Sequence, residues 1–435
     1  MGPKFRVAIC GAGIGGLTAA VALSDFPDIE IEIYEGAAQL AEVGAGIGLF
    51  PRPWEIIRRL GLEEELLKLC EIKPTDGPVT SFRYRKSDQA EGFDFYTLVT
   101  NGNLMVFHRA DFQQVLLRRL PETCQAHCSK RLRSYIQRPS EPIELLFEDG
   151  STTTCDVLIG ADGLKSAVRR SFMDEKAERA QSQAADLNAL IDPVWSGTNA
   201  YRALIPAERL KARVSDHPVF SRPTQYLGKD GYIIAYPIAH GKMINFVAFS
   251  ARHDLENTTF DGPWMSTTDK TEFAGMFSHW EPEVQDLIEC VDKPLRWAVH
   301  TVRPLDSFIS GRVALIGDAA HAMLPHQGSG AGQAIEDVYI LATLLGHPNT
   351  TRDTLDRALE IFDHVRRPKA HKVQEGSRIN GQRFSFHGYD FDELRGEELL
   401  DALHSFSEAF TKSWEWAWTT SIDGSVQEAL RMLEI

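Results

Sequence analysis

The sequence predicts an α/β protein: a Rossmann-like core built on parallel strands, interrupted by a mainly antiparallel sheet and followed by a helical C-terminal segment. Three observations predict it. A strand, turn, helix and strand open the chain. Two later apolar strands end in corners bearing glycine and an acid. Between them the texture changes to β-branched and aromatic runs separated by hairpin turns. A length of 435 residues suits one large domain carrying a smaller inserted one.

Phe5 to Cys10 forms a short apolar strand, Gly11 to Gly16 a tight turn, Leu17 to Leu23 the start of a helix, and Ile29 to Tyr34 a second strand ending at Glu35. Helices are expected over Trp54 to Leu69 and Ala110 to Leu120. Ile143 onward gives a hairpin turning at Asp149-Gly150, then a buried strand at Val157 to Ile159 and a helix opening near Lys165. From about Gln183 to Leu287, NAYRALIP, PTQYLG, GYIIAYPIAHG and KMINFVAFSARHD read as antiparallel strands. The α/β texture returns at Val313 to Ile316, with helices over Gln333 to Leu345, Leu355 to Arg366 and Glu393 to Leu433. The domains expected are therefore 1–182 with 288–375, an insertion at 183–287, and a C-terminal helical segment at 376–435.

Hydrophobic residues at 43% and charged ones at 25% leave enough apolar side chain for a large core. A formal charge of −15 excludes nucleic acid as the main partner. No apolar run is long enough to span a membrane, and the apolar run near the N-terminus is too short and glycine-interrupted for a secretory signal. The six cysteines form no CxxC pair, and Cys124-Gln-Ala-His-Cys128 lacks the second half of a metal site. Reduced thiols, no metal and a cytoplasmic location are expected. Trp414, Trp416 and Trp418 alternate and cannot share one helix face. A helix packed on its own domain is the favoured account, with a monomer and a homodimer both open.

Three corners carry the chemistry. In GAGIGG, Gly11, Gly13 and Gly16 permit a tight turn, backbone approach to a pyrophosphate and close helix packing, and Glu35 lies nineteen residues beyond, placed for a ribose. In LIGADGLKSAVRR a buried strand ends at Gly160, and Asp162 either serves a ligand or caps the next helix. In GDAAHAMLPHQGSGAGQAIED, Asp318 leaves a buried strand and the glycines deliver a helix N-terminus, with Glu336 and Asp337 placed in its first turn. Three such corners exceed what NAD needs. A longer cofactor, FAD, explains them, with the last helix N-terminus facing the ring.

The order and spacing of GAGIGG, EVGAGI (42–47), HRADF (108–112), DVLIGADGLKSAVR (156–169) and the third corner resemble those of the single-component FAD-dependent aromatic hydroxylases, the group A flavoprotein monooxygenases, and most closely the salicylate hydroxylases. The resemblance runs from residue 5 to residue 370. It implies a p-hydroxybenzoate hydroxylase-like fold: a Rossmann-like FAD-binding domain with an inserted substrate sheet. It also implies that Gly11, Gly13 and Gly16 hold the FAD pyrophosphate and Glu35 the adenosine ribose, with Gly46 of EVGAGI among the cofactor-binding residues. Arg109 would meet the ribityl and phosphate region, Asp318 the ribityl hydroxyls, and Gly328, Gly330, Ala331 and Gly332 the isoalloxazine. The Asp162-Gly163 pair would serve FAD placement and NAD(P)H use. GLFPRPWEII departs from the family after EVGAGI, so no flavin contact is carried over to Arg52 through Trp54.

The reaction implied is reduction of FAD by NAD(P)H, capture of O2 as a C4a-hydroperoxide and hydroxylation of a phenolic acid of the hydroxybenzoate or salicylate type, with loss of the carboxylate where attack is at the ipso carbon. Arg202 would hold a carboxylate or phenolate, Tyr236 would bind or relay the phenol proton, and His326 would act as a base beside the ring. His321 is assigned rather to a helix cap or backbone contact. A tailoring or epoxidising flavoprotein of secondary metabolism, and a flavin redox protein without turnover, stay open.

Overall fold

The structure, a computed structural model, describes residues 2–40, 46–70, 72–180 and 184–434. Residues 42–45 of the EVGAGI motif and the 182/183 boundary lie outside them.

The apolar runs pair as parallel strands. Phe5–Cys10 runs beside Ile29–Tyr34 on one side and Val157–Gly160 on the other. Val313–Leu315 extends the sheet beyond Val157–Gly160, and Gln125–His127 and Ile309–Ser310 close its two edges. FRVAIC and VLIG are almost wholly buried, as strands of a sheet covered on both faces must be. The register matters for function. Cys10 pairs with Tyr34 and with Gly160, and Gly160 pairs with Leu315, so the strand exits leading to Gly11, Glu35, Asp162 and Asp318 lie side by side on the carboxyl edge.

A second sheet of eight strands has the order Met265–Thr267, Leu295–Thr301, Val194–Pro206, Met243–Ala251, Gly231–Ile238, Thr224–Gly228, Pro78–Lys86, Phe93–Asn101. All its neighbours are antiparallel except Thr224–Gly228 with Pro78–Lys86. Its middle strands come from the segment with β texture. Three strands do not: two precede that segment by about a hundred residues and one follows it. Such recruitment depends on an open hydrogen-bonding edge, not on any local signal.

Alternation gives this sheet two different faces. Tyr201, Ile205, Tyr226, Ile233, Phe246 and Ala248 turn to Phe273, Phe277 and Leu287. Ala200, Leu227, Tyr232, Val247 and Phe249 turn the other way, towards Phe384, Phe406, Phe410 and Trp414 of the C-terminal helices. Arg202 and Tyr236 share the parity of this second face.

Four helices differ from expectation. The Trp54–Leu69 stretch is two helices, Pro51–Arg59 and Glu63–Leu67, separated at Gly61, whose φ of +68° ends the first. Gly330–Gly346 begins within the glycine run, so Glu336 and Asp337 stand in its second turn and face the interior rather than complement the helix dipole. Leu355–Phe384 continues through Pro368, because Arg366, Ala370 and Val373 are buried on both sides of it and packing outweighs the lost backbone bond. The C-terminal stretch is three pieces, Gly396–Trp414, Trp416–Thr419 and Asp423–Glu434. Trp414 and Trp418 are buried around Phe50, while Arg52 lies over the Trp416 ring. No helix among the described residues is long and apolar enough to cross a membrane.

Candidate cofactor cleft and substrate face

The aligned strand exits open onto a cleft of about 810 Å3, a size suited to a cofactor. Gly11 leaves its strand at φ +104°, and a Cβ there would lie 2.3 Å from the Ala161 carbonyl oxygen. At Gly16 an added Cβ would lie 1.9 Å from the Gly11 carbonyl oxygen. Only glycine fits at either position, which brings the backbone to the cleft wall. The Ile14–Leu23 helix that follows is capped by Gly13 without a side-chain bond and has no acid in its first turn, leaving its amides for an anion.

Gly11, Gly13, Glu35, Gly46, Arg109, Asp162, Asp318, Gly328, Gly330 and Ala331 all line this cleft. Gly16 does not; it packs beneath Gly11. Gly332 also stays outside, facing Pro53, where its Cβ would come within 3.0 Å of the ring. Glu35 is held at both oxygens by backbone amides, Oε2 accepting from Ala12 N at 2.8 Å and Oε1 from Ala37 N at 2.7 Å. The second lone pair on each oxygen remains for hydroxyls.

Asp162 accepts from Ser166 Oγ and from the amides of Ala167 and Val168, so it caps the helix beginning at Ala167 while lining the cleft. Burial pushes its carboxyl above the ordinary range. The capping reading of this acid therefore holds, and the same residue lines the cleft. Asp318, by contrast, is exposed in the cleft at the start of the four-residue helix Asp318–His321. At the far end the Gly330–Gly346 helix presents an N-terminus with no side-chain cap and no acid in its first turn.

Five cations, Arg109, Lys130, Arg131, Lys165 and Arg170, line the cleft against the four acids Glu35, Glu148, Asp162 and Asp318. In a chain of charge −15 that local balance suits a pyrophosphate. Sequence reasoning missed Lys130 and Arg131. They reach Glu35 because Gln125–His127 pairs with Ile29–Tyr34, which brings the Lys130 amide to the Glu35 carbonyl at 2.8 Å and the Arg131 guanidinium over Gly36. Glycines that admit a backbone, uncapped amides at both ends, a ribose-type carboxylate and surplus positive charge all fit FAD.

The three substrate-side candidates do not line the cleft. His326 is buried, sharing a hydrogen bond between Nδ1 and the Tyr232 hydroxyl, with Phe249 edge-on at 5.4 Å. Burial lowers its pKa to about 3, so it is neutral and packed, unlike a base poised near neutrality. The sequence placed it beside the ring because it lies between Pro325 and Gly328, which do line the cleft; the backbone there turns its side chain the other way. His321 is buried too, with Nε2 on Asp337 at 2.6 Å.

Arg202 and Tyr236 stand on the two neighbours of strand Met243–Ala251, opposite Val247 and Asn245. Burial draws the Arg202 pKa down and the Tyr236 phenol up, and each offsets part of the other's shift. Neither has a hydrogen bond or ion pair to another described residue. Two residues along, Ala200 and Phe249 pair, and Phe249 touches His326. The face bearing Arg202 therefore adjoins the Pro325–Gly328 end of the cleft.

A sequence profile of the FAD binding domain matches residues 4–222 and 283–377. The chain is 35% identical to an FAD-dependent monooxygenase of Strobilurus tenacellus, covering 99% of this chain and 98% of the relative. It is 34% identical to a salicylate hydroxylase of Pseudomonas putida, covering 98% and 94%. Among solved structures, a salicylate hydroxylase substrate complex superposes with a TM-score of 0.83 at 31% identity, over 98% of each chain.

Proposed function

The chain belongs to the FAD-dependent aromatic hydroxylases, with their p-hydroxybenzoate hydroxylase-like fold, and from that premise we propose that it hydroxylates a phenolic carboxylic acid of the salicylate type, with NAD(P)H as electron donor. The observation that carries this reading is the Arg202–Tyr236 pair: a desolvated guanidinium and a phenol on one sheet face, on the two strands flanking Met243–Ala251, with no hydrogen bond or ion pair to other described residues.

When bound, FAD supplies the reductive activation of O2 from which one oxygen atom passes to the ring. The protein's own part is binding, orientation and proton control. Arginine stays charged despite its lowered pKa, and a half-buried charge with no ion pair gains from an anionic ligand. Arg202 would therefore bind the substrate carboxylate or phenolate. Tyr236 stays protonated because burial raises its pKa, so it would donate to the phenolic oxygen or pass its proton on. Phe249, Tyr232 and the C-terminal aromatics close the inner end of the face against water.

A substituted phenolic acid is a second reading. Leu204, two residues from Arg202 on the same face, is 60% exposed, which leaves room for a ring substituent. The name of a relative 30% identical to this chain, a 6-methylsalicylate 1-monooxygenase of Aspergillus terreus, supports it. The test is NAD(P)H oxidation by the holoenzyme across salicylate, alkyl-substituted salicylates and other hydroxybenzoates, with product identification. Catechol-type or hydroxylated products from one of these classes are expected. Reduction equally fast with and without every phenol, and no oxygenated product, would sink the reading.

A further inference from the structure

We propose that Asp337 is a positioning residue for Asp318, and that Arg366 holds Asp337 in place for it. Asp337 is fully buried. Its Oδ2 accepts from the Gly317 amide at 3.0 Å and from His321 Nε2 at 2.6 Å, while Oδ1 accepts from Arg366 Nε at 2.9 Å. Gly317 and His321 are the two ends of the segment that carries Asp318, so both ends of that short helix hang on one carboxylate oxygen.

Asp318 has no side-chain hydrogen bond or ion pair to the other described residues, so its carboxylate stands where the backbone of its four-residue helix puts it, a backbone that Arg169 also holds through the Ala319 carbonyl at 2.9 Å. Gly317 has φ +57°, a conformation with no side chain of its own to brace it, and the helix has no side-chain cap. The brace comes from behind. Arg366, itself fully buried, also donates to Glu336 Oε2 at 3.0 Å and Gln333 Oε1 at 2.8 Å, and Glu336 accepts from Arg52 at 3.0 Å. One ionic lattice thus ties the Asp318 segment, the glycine-rich helix and the long helix Leu355–Phe384 into a single unit behind the cleft. Gly317 and the N-terminus of the helix that carries Asp337 line the cleft as well, so an effect of Asp337 carried by those routes would add to that of Asp318.

The inference rests on Asp318 facing the FAD ribityl chain, and a double-mutant cycle tests it. Apoproteins of the natural sequence, Asp318→Ala, Asp337→Asn and the double variant are titrated with FAD by flavin fluorescence, and each is melted without FAD. Both single variants are expected to weaken FAD binding by about tenfold, and the double variant to bind no more weakly than Asp318→Ala. Losses that multiply in the double variant, or FAD affinity unchanged in Asp337→Asn while the melting point falls, would assign Asp337 a structural role only and overturn the proposal. Should Asp337→Asn not fold, His321→Ala enters the same cycle and must likewise be silent in the Asp318→Ala background. Failure of the natural apoprotein to take up FAD would instead count against the flavoenzyme reading as a whole.

Discussion

The Tyr232 hydroxyl and the His326 ring hydrogen-bond to each other inside an aromatic enclosure, with Phe249 stacked on Tyr232 at 4.5 Å and Phe384 edge-on at 5.4 Å. Burial holds the folded pKa of His326 near 3, below its ordinary 6.5. Between those values the unfolded chain binds a proton that the native state refuses. This contribution is therefore complete above pH 6.5 and is lost as pH falls towards 3, by about 1.4 kcal/mol per unit. Melting curves from pH 7 to 4 should show this slope, and His326→Gln should flatten it. An unchanged slope in the variant would mean that another group sets the acid limit.

Gly11→Ala should abolish FAD retention. The new methyl meets the Ala161 carbonyl and sits at a φ that disfavours any side chain, so the turn must open and the amides at the start of the Ile14–Leu23 helix move. Absorbance of the purified protein in the flavin bands checks this. Gly332→Ala, whose Cβ contacts the edge of Pro53 at 3.0 Å outside the cleft, should keep its flavin.

Arg202→Gln should raise the Kd for salicylate by about 10- to 100-fold, the value of a charge-assisted bond in a desolvated site, while leaving bound FAD untouched. Arg202→Lys should recover part of the affinity. Titration of the oxidised holoenzyme with salicylate, followed by flavin difference spectra, gives both numbers. Equal affinities in all three proteins would remove Arg202 from the substrate site.

Phe410→Ala should cost about 3–5 kcal/mol. Its ring lies 4.8 Å from Tyr84 and 5.5 Å from Phe384, joining the strand Pro78–Lys86, the long helix and the helix Gly396–Trp414. Urea denaturation measures the loss. A cost below about 1 kcal/mol would show that the C-terminal helices are not coupled to the sheet.

Much of the cofactor cleft was legible because its devices are local. Gly11, Gly13 and Glu35 sit at fixed offsets within one strand, turn, helix and strand, and Asp162 and Asp318 each follow a short buried run. Backbone sterics dictate such spacing. The helix starts at Gly330, three residues before the expected Gln333, a start that glycine's poor helix propensity hides from the sequence; here the amides are kept free by the absence of side chains. A start at Gln333 would put Glu336 and Asp337 on the dipole, whereas they pair with Arg52 and Arg366 from distant helices.

Periodicity and dihedral preference over a dozen residues or fewer suffice for the parallel core, the antiparallel strands between Val194 and Ala251 and the glycine-acid corners. Tertiary structure alone decided which strands complete the eight-stranded sheet, which way His326 turns from its loop, how Lys130 and Arg131 reach Glu35, and that Asp337 is shared between Gly317, His321 and Arg366. Those outcomes depend on strand register and on the burial of charges brought together from far apart in the chain, and neither quantity is written in any single segment.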